Sequence, residues 1–170
     1  NDILNGNGGN DTINGGAGND TINAGAGTDT INQAAADGRD RIDGGTGADT
    51  YRLTGGADPE TFRIYAVIGA ANAGVASALA ASLGTTFAAT TEIVVTRTVA
   101  GIESVIAELD NIEEIVVNTL NVTANDGGGL NTGGTVGDTV QVVGNFTATS
   151  LNFSTTTING SSKFTRASTR

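Results

Sequence analysis

Histidine, cysteine, methionine and tryptophan are all absent from the 170 residues, and proline occurs once. Each absence removes a class of chemistry. Without histidine or cysteine there is no ordinary zinc site, thiol nucleophile, Ser-His-Asp relay or disulfide framework. What remains for holding a metal is oxygen. Aromatic residues make up only 4% of a chain that is 38% apolar. That argues against a core built on large rings and for thin layers of aliphatic side chains in a stacked architecture.

Positive charge is scarce too. The chain has 18 acids against 8 bases, a formal net charge of -10. Such a balance speaks against nucleic acid or an anionic membrane surface as a partner and favours cations. The imbalance is local: residues 1–60 carry 10 acids and 3 arginines, residues 61–170 carry 8 acids and 5 bases. The stretch from Ala66 to Leu83 has the length of a membrane span, but Gly69, Asn72, Gly74 and Ser77 dilute it. No membrane insertion is expected, and the segment reads as an Ala-rich helix near 70–83.

Glycine is abundant and in phase. The words GNGGNDTIN, GGAGNDTIN and AGAGTDTIN run end to end from Gly6 to Asn32, with Asp11, Asp20 and Asp29 on one beat and Ile13, Ile22 and Ile31 on another. A fixed period of this kind specifies a stacked fold before local propensities matter. The opening NDILN reads as the tail of an earlier word, so the chain is expected to be a piece of a longer parent. A fourth word, AADGRDRID, follows an insertion of Gln33 and Ala34; the fifth, GGTGADTYR, is regular; the sixth, GGADPETFR, is degenerate, with Glu60 where the Asp would stand.

Each word divides into a six-residue loop and a three-residue strand. Neighbouring strand residues face opposite sides, so Ile22 points inward while Thr21 and Asn23 point out. Two words then make one coil of about 18 residues, and coils stack at about 4.8 Å. This predicts two inward ladders, Leu4 with Ile22 and Ile42, and Ile13 with Ile31 and Tyr51. It also predicts two acid columns, Asp2 with Asp20 and Asp40, and Asp11 with Asp29 and Asp49. Carboxylates about 5 Å apart repel by roughly 3 kcal/mol at an effective dielectric of 20. A cation between coils reverses the sign. Calcium suits the place, since it takes six to eight oxygens in loose geometry, whereas magnesium is stricter and reluctant to shed water.

GGAGNDTIN and GGTGADTYR resemble the GGxGxDxUx nonapeptide of the RTX, or haemolysin-type, calcium-binding repeats. The resemblance covers residues 1–52 well and 53–63 weakly. It implies a parallel β-roll with several Ca2+ ions in the turns, and export of the parent from a Gram-negative bacterium by type I secretion, to the outside or the cell surface. It further implies that each ion sits between loops one coil apart, held by the Asp side chains and by carbonyls at the second and fourth loop positions. Those residues are Asp2, Asn7, Gly9, Asp11, Gly16, Gly18, Asp20, Gly25, Gly27, Asp29, Gly38, Asp40, Gly45, Gly47 and Asp49. Asn7 stands where glycine is usual, and the insertion stretches the spacing of Asp20 to Asp40 and of Asp29 to Asp49.

Beyond residue 63 a β-rich flanking or capping domain, 64–170, is expected. TEIVVTRTV and IESVIAEL read as a hairpin turning at Ala100 and Gly101, followed by NIEEIVVN, DTVQVVG, TSLNFST and TTING. The basic tail SSKFTRASTR reads as a frayed end. This later segment is similar to stretches between repeat blocks of very long RTX proteins and brings no active residues. The fold class is therefore mainly β, and the expected function is a noncatalytic calcium-binding structural module.

Two other functions compete. The outward column Thr12, Thr30 and Thr50 could bind an ordered extracellular surface such as ice or a glycan, although Arg41 interrupts the companion column of Thr21, Arg41 and Thr61. The chain could also be an attachment module of a secreted peroxidase or epimerase, whose chemistry would lie elsewhere in the parent. Asp126 and Asp138, beside glycines, read as turn residues or a further ion site.

Overall fold

A computed structural model of the chain describes residues 1–56, 58–118, 139–144, 146, 157–159 and 163–167. Each repeat word contributes a short strand: β1 (Ile3–Asn5), β2 (Thr12–Asn14), β3 (Thr21–Asn23), β4 (Ala26–Gly27), β5 (Thr30–Ala34), β6 (Asp40–Asp43), β7 (Thr46–Gly47) and β8 (Thr50–Thr54). Strands one coil apart pair in parallel, β1 with β3 and β6 on one side, β2 with β5 and β8 on the other. β4 and β7 pair within a stacked turn. The register aligns Leu4, Ile22 and Ile42, and opposite them Ile13, Ile31 and Tyr51. Ile22, Ile31, Ile42 and Tyr51 are fully buried, because the two-residue period turns every apolar member of Thr-Ile-Asn to the same side.

The insertion at Gln33 and Ala34 widens the roll. It lengthens β5 to five residues, matched by five in β8, so each strand presents a second inward position. Gln33 pairs with Leu53, and Leu53 with Val117. Gln33 is buried but satisfied: its Oε1 accepts the Tyr51 hydroxyl at 2.7 Å, and its Nε2 donates to the carbonyls of Ile106 at 2.8 Å and Gly38 at 3.1 Å. A polar side chain thus bridges the space that opens as the core thickens.

The later chain forms β9 (Glu60–Ala66), a 3-10 turn (Ala70–Asn72), α1 (Ala73–Leu83), β10 (Ile93–Val99), β11 (Ile102–Asp110), β12 (Glu114–Asn118), β13 (Thr139–Val143), β14 (Thr157–Asn159) and β15 (Lys163–Ala167). The helix ends at Gly84, whose φ of 60° lets its amide reach the carbonyls of Ala80 and Ala81. Its buried Leu79 packs on Val67 and Val94. Among the described residues no helix is long and apolar enough to cross a membrane. β10 and β11 form the antiparallel hairpin, turning at Ala100 and Gly101 with φ of 51° and 79°.

Both sheets run on from the repeats into these strands. One has the order β1-β3-β6-β11-β10-β9-β13-β15, the other β14-β12-β8-β5-β2. β11 pairs in parallel with β6 and β12 with β8, so Leu109 follows Ile42 and Ile115 follows Tyr51 in the two ladders. The fold is mainly β, with one short helix. Two expectations are corrected. Glu108, not Thr61, follows Arg41, because the hairpin inserts beside β6; Thr61 instead lies opposite Thr98 and Thr139. Lys163–Ala167 is not frayed but pairs with β13, whose remaining edge offers its backbone a parallel ladder. Asn121, Asp126, Asp138, the loop 124–134 and the stretch 149–155 lie outside the described residues.

Candidate metal centre

The turns on both edges are built by one hydrogen bond repeated up the stack. The backbone amide of each aspartate donates to the carboxylate of the aspartate one coil later: Asp2 to Asp20 at 2.6 Å, Asp20 to Asp40 at 2.9 Å, Asp11 to Asp29 at 2.8 Å and Asp29 to Asp49 at 2.8 Å. The sequence spacing is 18 in the regular pairs and 20 where the insertion intervenes, yet the bond is the same. The two added residues are absorbed in the strand and do not disturb the column.

In Asp20, Asp29, Asp40 and Asp49 this bond uses Oδ1 and leaves Oδ2, while Asp11, at the start of its column, only donates. In Asp11, Asp20, Asp29 and Asp49 that second oxygen is buried without a hydrogen-bond partner. Asp20, Asp29, Asp40 and Asp49 are themselves at most 2% exposed. An unpartnered buried carboxylate oxygen costs several kcal/mol unless a cation or donor meets it. Burial raises the Asp40 carboxyl to about 6, with repulsion from Asp20 adding to it and the Asp20 amide opposing it. Asp49 is raised for the same first reason, with Asp29 and Glu113 adding repulsion. Asp40 and Asp49 are therefore the points at which the protein alone most disfavours the charged carboxylate.

Glycine sets the loop shape around them. The fourth loop positions Gly9, Gly18, Gly27, Gly38 and Gly47 have φ between 113° and 152°. Their neighbours above approach closely: a Cβ on Gly27 would lie 1.9 Å from the Gly9 carbonyl oxygen, and one on Gly47 1.6 Å from that of Gly27. At the second position Asn7, Gly16, Gly25 and Gly45 also have positive φ, and Asn7 holds 72° without strain beyond what asparagine tolerates. Some of these carbonyls already stack the turns, that of Asn7 accepting the Ala26 amide at 3.0 Å and that of Gly25 the Thr46 amide at 2.8 Å.

The turn that carries Asp40 differs. Ala36 does not share the positive φ of the other second positions. There Asp37 closes a tight turn, its Oδ2 accepting the Ala34 amide at 2.8 Å. The Gly38 carbonyl is engaged by Gln33. Asp43 likewise makes a turn, accepting the Gly45 amide at 3.0 Å. Arg39 does not pair with either acid; it meets Glu108 at 2.7 Å, donates to Thr85 and the Thr86 carbonyl, and lies over the Phe87 ring.

Two acids outside the regular words complete the picture. Glu60 is buried and joined to Arg97, and it accepts the Gly56 amide at 2.6 Å. In the degenerate sixth word an arginine therefore neutralises the acid. Glu113 continues the Asp11, Asp29, Asp49 column, accepting the Asp49 amide at 2.7 Å. Glu114 faces elsewhere, toward the Thr50 hydroxyl at 3.1 Å. Read as adjacent strand residues, Glu113 and Glu114 face opposite sides and share no site, and Glu113-Glu114-Ile115 keeps the acid, spacer, apolar beat of Asp49-Thr50-Tyr51.

Among the described residues no three acidic side chains converge on one point. Each step offers two carboxylates, so the rest of a calcium shell has to come from backbone carbonyls or water, donors that this ion accepts and zinc does not favour. No curated protein and no solved structure matches the chain. A family model does: residues 1–31 and 34–58 match, in four copies, the RTX calcium-binding nonapeptide repeat. With four copies in register and carboxylates stacked at the turns, this segment is a block of RTX repeats, a family that binds Ca2+.

Proposed function

We propose that the chain is a calcium-dependent structural module of a larger secreted protein, held open at low calcium and folded once outside the cell. The observation that carries this is the set of buried, unpartnered Oδ2 atoms on Asp11, Asp20, Asp29 and Asp49. Calcium supplies the positive charge that such oxygens lack. Asp2 with Asp20 and Asp11 with Asp29 form the regular steps, with carbonyls of Asn7, Gly9, Gly16, Gly18, Gly25 and Gly27 in reach of the loop geometry. Asp40 and Asp49, with Gly38, Gly45 and Gly47, form the widened steps. Residues 1–63 act as the calcium roll and 64–170 as its capping part.

Because the ligands are assembled only when coils stack, binding free energy becomes folding free energy. Cytosolic calcium leaves the acid columns repelling, and millimolar calcium outside a Gram-negative cell closes them. On this reading the chain is a noncatalytic module, and any reaction lies in the parent. The test is circular dichroism and hydrodynamic radius of the full chain during calcium titration after chelation. Strand signal and compaction should rise together with calcium. A chelated chain as compact and as rich in strand as the calcium-loaded one would overturn the reading.

A further inference from the structure

The acid column does not stop where the repeats stop. At the step from Asp11 to Asp29, four contacts define the geometry. The Asp11 amide meets the Asp29 carboxylate at 2.8 Å. The Thr30 amide meets the Asp11 carbonyl at 2.8 Å, and the Gly6 amide meets the Asn23 carbonyl at 2.8 Å. The Gly6 Cα faces the Ala24 carbonyl and the Asp11 Oδ2, which would lie 2.2 and 2.7 Å from a Cβ there.

The step from Asp49 to Glu113 repeats all four, the upper partners Asp110, Asn111, Glu113 and Glu114 lying outside the matched repeats. The Asp49 amide meets the Glu113 carboxylate at 2.7 Å. The Glu114 amide meets the Asp49 carbonyl at 3.0 Å, and the Gly44 amide meets the Asp110 carbonyl at 3.0 Å. The Gly44 Cα faces the Asn111 carbonyl and the Asp49 Oδ2, at 2.1 and 2.9 Å from a Cβ there. Asn111 reaches this place with a φ of 51°, and its Nδ2 is tied to Asp43 Oδ1 at 2.9 Å. Asp49 is fully buried and its Oδ2 has no partner.

We infer that the Asp49–Glu113 step is a further calcium site, in which the loop Asp110–Glu113 replaces a repeat turn and closes the column with a glutamate. The inference deepens the proposed calcium function and rests on it. Charge supports a metal here. At Glu60 the chain supplies Arg97 against a buried acid, whereas among the described residues no lysine or arginine pairs with Asp49 or Glu113. Glutamate is one methylene longer than aspartate, and the loop before Glu113 lacks the glycines of a regular word. The longer side chain spans what the shorter loop does not.

The experiment is calorimetric titration of the full chain with calcium chloride, comparing wild type, Glu113→Gln and Glu113→Asp. Glutamine keeps an oxygen for the Asp49 amide while removing the charge, so this variant should take up one ion fewer than wild type. Aspartate keeps the charge but falls one methylene short in this loop, so Glu113→Asp should bind the last ion more weakly than wild type. Equal stoichiometry and affinity in wild type and Glu113→Gln would overturn the inference and leave Glu113 a capping hydrogen-bond acceptor. No calcium uptake by wild type would instead sink the proposed function. Should Glu113→Gln fail to fold, the wild-type ion count decides: five ions match the four Asp–Asp steps plus Asp49–Glu113, and four would refute the site.

Discussion

Replacing Asp29 by asparagine should change stability in opposite directions with and without calcium. Asp29 is fully buried between Asp11 and Asp49, its Oδ1 accepts the Asp11 amide, and its own amide donates to Asp49. Asparagine keeps the acceptor and the amide but removes the middle of three charges. At about one strand spacing each repulsion is worth roughly 3 kcal/mol at an effective dielectric of 20. Against that stands an amide NH2 with no acceptor at the orphan position, costing about 1–3 kcal/mol. Two such repulsions less that cost leave a net gain in chelator of about 3–5 kcal/mol. In calcium the sign turns. On the proposed function two ions flank Asp29, and each contributes about 2.7 kcal/mol when free calcium is ~100 times its dissociation constant. Weakening both should cost several kcal/mol. Urea denaturation followed by far-UV circular dichroism, in millimolar calcium and in chelator with a stabilising osmolyte that populates the folded state, measures the two differences. A midpoint lowered by the same amount in both conditions would show that the column is not charge-strained, and the reasoning would be refuted.

Other perturbations separate strain, charge and pH. Gly47→Ala, whose Cβ would strike the Gly27 carbonyl at 1.6 Å, should destabilise by more than Gly9→Ala. The latter meets nothing within 4 Å and should cost only the backbone strain of about 1–3 kcal/mol; thermal melts in calcium compare them. Arg97→Ala should cost about 3–5 kcal/mol by stranding the buried Glu60, by a similar amount with or without calcium, and adding Glu60→Gln should recover part of it. In chelator, stability should fall as pH rises from 4 to 7. The Asp40 carboxyl is raised from 3.8 to about 6, so the folded state holds the extra proton between those values, and the stabilisation present below 3.8 is lost as pH passes about 6. Stability that instead rose across that window, by urea titration at fixed low ionic strength, would contradict the assignment.

The ladders and columns of residues 1–52 were legible because the strand period and the nine-residue word fix facing and stacking together. Ile13, Ile22 and Ile31 turn inward in phase with Asp11, Asp20 and Asp29 turning to the edge. The role of Gln33 was not legible. Nothing in the local sequence says that an inserted amide is inward and bonded to Tyr51, since that depends on β8 and β11 arriving beside it. Thr61 was misplaced for a related reason. Repeat arithmetic extends the stack by one more word, whereas the β-branched hairpin of β10 and β11 competes for the edge of β6 and wins it. Glu113 was hidden because its loop has no glycine signature, although its beat with Ile115 matches the repeat.

The way β11 and β12 close the roll also divides its folding into two regimes. Within the repeats every bond in the acid columns spans 18 or 20 residues. The bonds that finish the stack span 64 from Asp49 to Glu113 and 73 from Gln33 to Ile106. Contacts of short sequence separation form early and cheaply, and those of long separation must first overcome loop entropy. Coil growth is therefore a local process, and the closing of the stack is a distant one. A chain of this design has its low contact order in the part that gathers ions and its high contact order in the part that seals them.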